Sequence, residues 1–360
     1  MENTNRSQVL DSLKGIGIVI VLLFHSGALG YGGMMEKVRV VLERGVHLFF
    51  VVSVILMFLS LEHAGCGKSD FKAAKWYYNK FLRLIPLYYL ALMVYFIING
   101  FEPSYWSGSH GITIWTALTN FLFLNGFWPW HINAIMANWY IGTLAIFIMI
   151  SPILFKLIKN VWQAFYFTVF NFGLMLFCKY IIAGIYPGQD TAIWVSYWTK
   201  TSIFQELPII GIGIMLYFII YKEKWTDKLS ARVKECGING AAVSNVMLIF
   251  ILFFAIEVVD AGVSSFIYCL CIGLIVFTQY IAPSKMITNS FFVFMGKYSY
   301  GIYLSHYLIL DAIVDPLVRL CGNEHIAYTI ACVVTGVLSL LLSMVLTKYV
   351  EKPIVNRLKK

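Results

Sequence analysis

Apolar runs, most of them about twenty residues long, recur from one end of this chain to the other. They fall near 13–32, 46–61, 81–99, 112–127, 138–157, 162–184, 204–221, 241–258, 263–282, 291–315 and 327–349. A bilayer core ~30 Å thick needs roughly twenty helical residues to cross it, and only helices or closed barrels satisfy their backbone groups there. With 60% hydrophobic and 12% charged residues, the chain holds about half the charge usual in a soluble domain, and its mean hydropathy is +0.77. The sequence predicts an all-α polytopic membrane protein, read as one transmembrane domain over residues 1–360. The run at 15–29 could pass for a signal peptide, but no small-residue cleavage site follows, so it is read as retained.

Charge sets the expected topology. The net charge of +9 collects in particular loops, which reads as membrane orientation and not as nucleic-acid binding. Lys68, Lys72, Lys75 and Lys80 stand against only Glu62 and Asp70 in one loop; Lys222–Glu235 and the tail with Lys352, Arg357, Lys359 and Lys360 are two more basic stretches. All three can face the cytoplasm, with both termini inside, only if one apolar run does not cross. The short 112–127 run, followed by Pro129, is the candidate for a re-entrant or interfacial segment, which leaves about ten spans. Seven cysteines show neither metal spacing nor a disulfide framework, and no metal is expected.

The first span, DSLKGIGIVIVLLFHS, carries His25 deep along an apolar helix. At ~1.5 Å per residue from Leu13, His25 lies roughly 18 Å in, past the midplane. An imidazole there needs a partner or a cavity. It is either a histidine satisfied by a neighbouring helix or a functional group. Asp11 and Ser12 read as the N-cap opening that helix. His47 is a polar lining or interface residue near the start of the second span, and Ser53 follows it as an interhelical hydrogen-bonder. His306, in a run with Tyr300, Tyr303 and Tyr307, joins the same half of the membrane; packing and function are both open for it. Arg83, behind Lys72, Lys75 and Lys80 and ahead of Pro86, would suit an anionic phosphate-bearing ligand, although snorkelling anchors give the same pattern. His131, beside Trp128 and Trp130, fits an interfacial aromatic belt.

Five of these stretches resemble, in order, the motifs of the acyltransferase-3 family of bacterial integral-membrane O-acyltransferases. Asp11, Leu13, Gly15 and His25 match its opening motif, with Lys14 in place of arginine; Phe49, Phe50, Val51 and Ser53 match its second-span run. Arg83 and Pro86 match the third span. Gly296, Lys297, Ser299, Tyr300, Ile302, Tyr303, Leu304 and His306 match a penultimate motif, and Glu351, Lys352 and Pro353 the close. The chain departs from the family where His47 and Leu144 stand at positions that are usually acidic, the second of them after Trp139, and where Val54 replaces a glycine. Glu206, Asp260 and Asp311 are acidic residues near span ends that could compensate.

The resemblance implies a multi-pass protein of the bacterial cytoplasmic (inner) membrane. It would move an acyl group, most simply acetyl, from cytoplasmic acetyl-CoA or another acyl-CoA to a hydroxyl of a cell-envelope polysaccharide or lipid-linked glycan. His25 would act as general base or acyl relay, and a histidine suits that chemistry near neutral pH. Arg83, Lys80 and Lys75 would hold the coenzyme A phosphates, and His47, Ser53, Trp139, Tyr303 and His306 would line the pocket. Membrane lipid and envelope-polysaccharide biosynthesis proteins are the implied partners. Two other readings stay open: a carrier or exporter of a polysaccharide or lipid-linked intermediate, and a catalytically inactive relative.

Overall fold

The computed structural model describes residues 2–28, 33–100, 111–127, 135, 138–185, 191–258 and 264–359, and among them every regular element is a helix. In chain order these are α1 (Glu2–Ser26), α2 (Gly33–Leu42), α3 (Gly45–His63), α4 (Ala73–Asn99), α5 (Ile114–Phe121), α6 (Asn138–Leu157), α7 (Val161–Tyr180) and α8 (Thr191–Ser196). Then follow α9 (Ile203–Tyr217), α10 (Trp225–Glu235), α11 (Gly240–Glu257), α12 (Ser264–Ile281), α13 (Ser290–Cys321), α14 (Glu324–Leu346) and α15 (Lys352–Leu358). Nine described helical stretches are long and apolar enough to cross a membrane, and Ser265–Ile281 is a shorter apolar tenth. This is the polytopic helical protein that the apolar runs predict. His131 and Asp260 lie outside the described residues.

Three elements differ from the sequence reading. The first helix begins at Glu2, so Asp11 and Ser12 sit inside it and cap nothing. Polar residues ahead of Asp11 extend the helix, Ser12 is fully buried, and Asp11 instead pairs with Lys14 one turn on, at 2.7 Å. Two amphipathic helices, α2 and α10, occupy stretches that carry no apolar run; Arg39 and Glu36 brace α2 at 2.7 Å.

The chain divides into two compact units, one of Met1–Ile55 with Ile212–Val345 and the other of Leu56–Gly211 with Leu346–Lys360. The first unit is built on the pair α1 and α13. A Cβ on Gly15 would run into the backbone carbonyl of Phe292, and one on Gly296 into the carbonyl of Asp11. Neither backbone can yield, so only glycine permits this crossing; small residues that let backbones approach are the usual adhesive between membrane helices. The next layer is added by α14, whose buried face is a single i, i+4 stripe of Ala327, Ala331, Thr335, Ser339 and Ser343. Ser343 donates to the Tyr298 carbonyl at 2.8 Å. On the other side Gly17 meets the Phe49 ring and Gly45 meets Ile20, which seats the start of α3 against α1.

The second unit shows how the short apolar run is held. Its helix, α5, is only eight residues long, capped by Thr113, whose hydroxyl accepts from the Thr116 N–H at 3.2 Å. Beyond Phe121 the backbone is irregular, and Phe123 adopts φ 58°. Carbonyls freed where the helix stops are taken up by phenols: Tyr88 donates to Asn120 O at 2.9 Å, Tyr89 to Phe121 O at 2.7 Å and Tyr197 to Gly126 O at 2.9 Å. Buried amides complete the support, Asn138 donating to the Asn120 side chain at 2.5 Å and Asn120 to Thr116 O at 2.7 Å. Non-helical backbone in a membrane protein is tolerated where protein groups replace the missing bonds, and an eight-residue helix is too short to cross a bilayer core.

Candidate functional site

The glycine crossing dictates what happens further along the same two helices. Since α1 and α13 run parallel, ten residues beyond Gly15 on one and ten or eleven beyond Gly296 on the other arrive together, roughly 15 Å along. Those positions are His25, His306 and Tyr307. The Tyr307 hydroxyl shares a 2.5 Å hydrogen bond with His25 Nδ1 and lies 3.3 Å from Nε2. Phe24 meets the His25 ring edge-on at 4.7 Å. The His306 ring stands 5.4 Å from that of His25, centroid to centroid, inclined by 32°.

His306 is fully buried, and its Nδ1 lies 2.7 Å from the Tyr303 carbonyl one turn back on α13. Tyr303 in turn stands 5.7 Å from the His306 ring and 6.3 Å from Phe49 of α3. Of the residues singled out by sequence, His25, Tyr303 and His306 therefore come together. Tyr307, the direct partner of His25, was seen only as one tyrosine in a run. Its helical spacing from Tyr303 marks a shared face, but the partner of that face depends on the parallel register of α1 and α13, which spacing does not encode.

Two other expected lining residues lie on α3 in the same unit. His47 is buried at the start of α3, with Nδ1 3.2 Å from the Arg44 carbonyl and its ring edge-on to Phe50 at 6.4 Å. It is not among the hydrogen-bonding or ring neighbours of His25. Ser53 is half-buried further along α3. Nearby, the Arg44 guanidinium reaches Ser265 at 3.4 Å and lies 6.0 Å from the Tyr268 ring. Asp311, offered as a compensating carboxylate, is exposed on α13.

The cationic residues belong to the second unit. Arg83 and Lys75 are exposed on α4, while Lys80 is half-buried with Nζ 5.3 Å over the Trp76 ring. The segment that carries them is fixed by three consecutive aromatics. Trp76 donates to Ser60 at 3.1 Å, Tyr77 to the Met149 carbonyl at 2.8 Å and Tyr78 to the Leu358 carbonyl at 2.8 Å. Glu351, in the π-turn Thr347–Glu351 packed on α4, lies within electrostatic reach of Arg83. Trp139 is half-buried at the start of α6, Leu144 is buried one turn beyond it, and Glu206 is buried on α9.

Chemically, the first unit offers a nitrogen base tied to a phenol, and the second offers planar and point cations on a braced helix. Among the described residues no group of three or more His, Cys, Asp or Glu converges as a metal ion would require. No curated protein matches the chain. A family model described as an acyltransferase domain matches residues 8–348, a stretch that takes in His25, Arg83 and His306 alike. The chain is thus a multi-pass membrane protein that belongs to the acyltransferase-3 family.

Proposed function

We propose that this protein transfers an acyl group, acetyl in the simplest case, from acyl-CoA to a hydroxyl of a cell-envelope polysaccharide or lipid-linked glycan, with His25 as the general base. The observation that carries this reading is the His25–Tyr307 hydrogen bond at 2.5 Å on a helix crossing that allows no slack. A base must be held within hydrogen-bond reach of the proton it removes, and a fixed ring nitrogen meets that demand. If Tyr307 accepts from Nδ1–H, Nε2 keeps its lone pair for the acceptor hydroxyl. The hydroxyl oxygen then attacks the thioester carbonyl, the carbon–sulfur bond breaks, and the proton passes through His25 to the departing thiolate.

Arg83, Lys80 and Lys75 are proposed to bind the phosphates of the donor, for which a guanidinium fork and two ammonium groups on one braced helix are suited. The basic loops support a cytoplasmic side for this cationic helix and for both termini. The site belongs, on this reading, to a bacterial inner-membrane enzyme.

The test uses membranes containing the protein, labelled acetyl-CoA and the envelope glycan fraction. Label should move to glycan and should cease with His25→Ala. Transfer that survives His25→Ala removes histidine from the mechanism. Coenzyme A that fails to raise the thermal stability of the purified protein removes the donor and favours a carrier of glycan intermediates.

A further inference from the structure

His306 has a property that the transfer scheme above does not use. Its Nδ1 faces a backbone carbonyl, which has lone pairs only, so Nδ1 must carry the ring proton of the neutral imidazole. The Nε2 lone pair is thereby fixed as an acceptor, and it is buried with no hydrogen-bond partner. A buried acceptor left unmet costs about 1–3 kcal/mol, so its persistence asks for a donor that arrives during the working cycle. The His306 side chain has no exposure to solvent. The ring beside it, 5.4 Å away, is that of His25. No carboxylate is among the hydrogen-bonding or charged neighbours of His25 in the described residues.

We propose that His306 is the positioning partner of His25, its Nε2 sharing with the Tyr307 oxygen the Nδ1–H of the His25 imidazolium, while the Nε2–H that His25 gains from the hydroxyl is left to the departing thiolate. In acid–base triads a carboxylate orients the histidine and steadies the imidazolium; here a neutral imidazole with a pinned tautomer and the Tyr307 phenol share that work. The step balances without a further reactant. The acceptor oxygen–carbon bond forms as carbon–sulfur breaks, and the hydroxyl proton rests on His25 before it reaches the thiolate. His306 keeps its Nδ1 proton throughout and neither gains nor loses one. The proposal rests on reading His25 as the base.

Two measurements test it. The full-length protein, labelled with ring-15N histidine and placed in lipid nanodiscs, should give His306 as an Nδ1–H tautomer with a bare Nε2. That resonance is assigned by its loss in His306→Gln, and it should move when His25 is replaced by Phe. A proton on Nε2, or a signal indifferent to His25→Phe, overturns the pairing with no variant of His306 needing to turn over. In labelled acetyl transfer to the glycan fraction, His306→Leu should lower kcat ~10- to 100-fold with little change in KM for acetyl-CoA. His306→Gln, which supplies an amide oxygen as acceptor, should recover most of that loss. Equal losses in both variants, or a loss confined to KM, overturn it. If the native protein transfers nothing, the acyl-transfer reading fails while the NMR result still decides the pairing.

Discussion

His306 in the first unit is fully buried and anchored to its own helix, whereas Arg83 in the second stands exposed with Glu351 within electrostatic reach. The polar groups of α1 and α13 owe their positions to backbone-on-backbone contact; those of α4 owe theirs to three aromatic side chains that clamp the helix and leave the cations outside. Proton transfer demands sub-ångström placement of one atom, and a phosphate-bearing ligand demands only charge within reach. The two arrangements are suited to those different demands.

Mutations should separate the two regimes. The largest effect is expected from Gly15→Leu or Gly296→Val. Either drives a side chain into a carbonyl, at a cost of about 4 kcal/mol or more, and should abolish monodisperse protein in detergent. Gly173, whose added Cβ would meet nothing, should accept Ala with a change of under ~1 kcal/mol in thermal unfolding. If both glycine classes behave alike, the crossing is not what holds the first unit.

Next comes His25→Ala, expected to lower kcat for acetyl transfer by ~100-fold or more while KM for acetyl-CoA stays put. Arg83→Ala should do the opposite, raising KM for the donor ~10-fold with kcat nearly intact, and that difference from the native protein should shrink as ionic strength rises. A kcat effect at Arg83 as large as that at His25 would erase the distinction between the units. Tyr307→Phe removes one hydroxyl from His25 and should cost ~5- to 10-fold in kcat. Lys75→Ala, which removes one point charge without a planar fork, should raise KM for the donor only ~2- to 3-fold and leave kcat unchanged.

Much of this was legible in the sequence, and the reasons are specific. Apolar runs report spans because lipid leaves a helix no alternative, and the 112–127 run is set apart by its shortness, which the eight residues of α5 match. The α2 and α10 helices went unseen because their apolar faces are interleaved with charge, and a run-based reading registers only continuous hydrophobicity. Asp11 and Ser12 look like a cap, yet the polar stretch before them simply continues the helix, and Lys14 rather than a backbone N–H takes the carboxylate. The motifs single out His25, Tyr303 and His306, and the structure adds Tyr307 as the hydrogen-bond partner of His25. A motif can mark that a residue type recurs, but which ring faces which is set by the register of two helices far apart in the chain.

That separation has a consequence for how the protein is made. The Tyr307 hydroxyl emerges from the ribosome 282 residues after the imidazole it binds. Domains generally form in order of synthesis, but here α1 meets the partner of its Gly15 contact and of its histidine only once α13 has been made. One late-made helix thus supplies the carbonyl beneath Gly15, the hydroxyl on His25 and the second imidazole beside it.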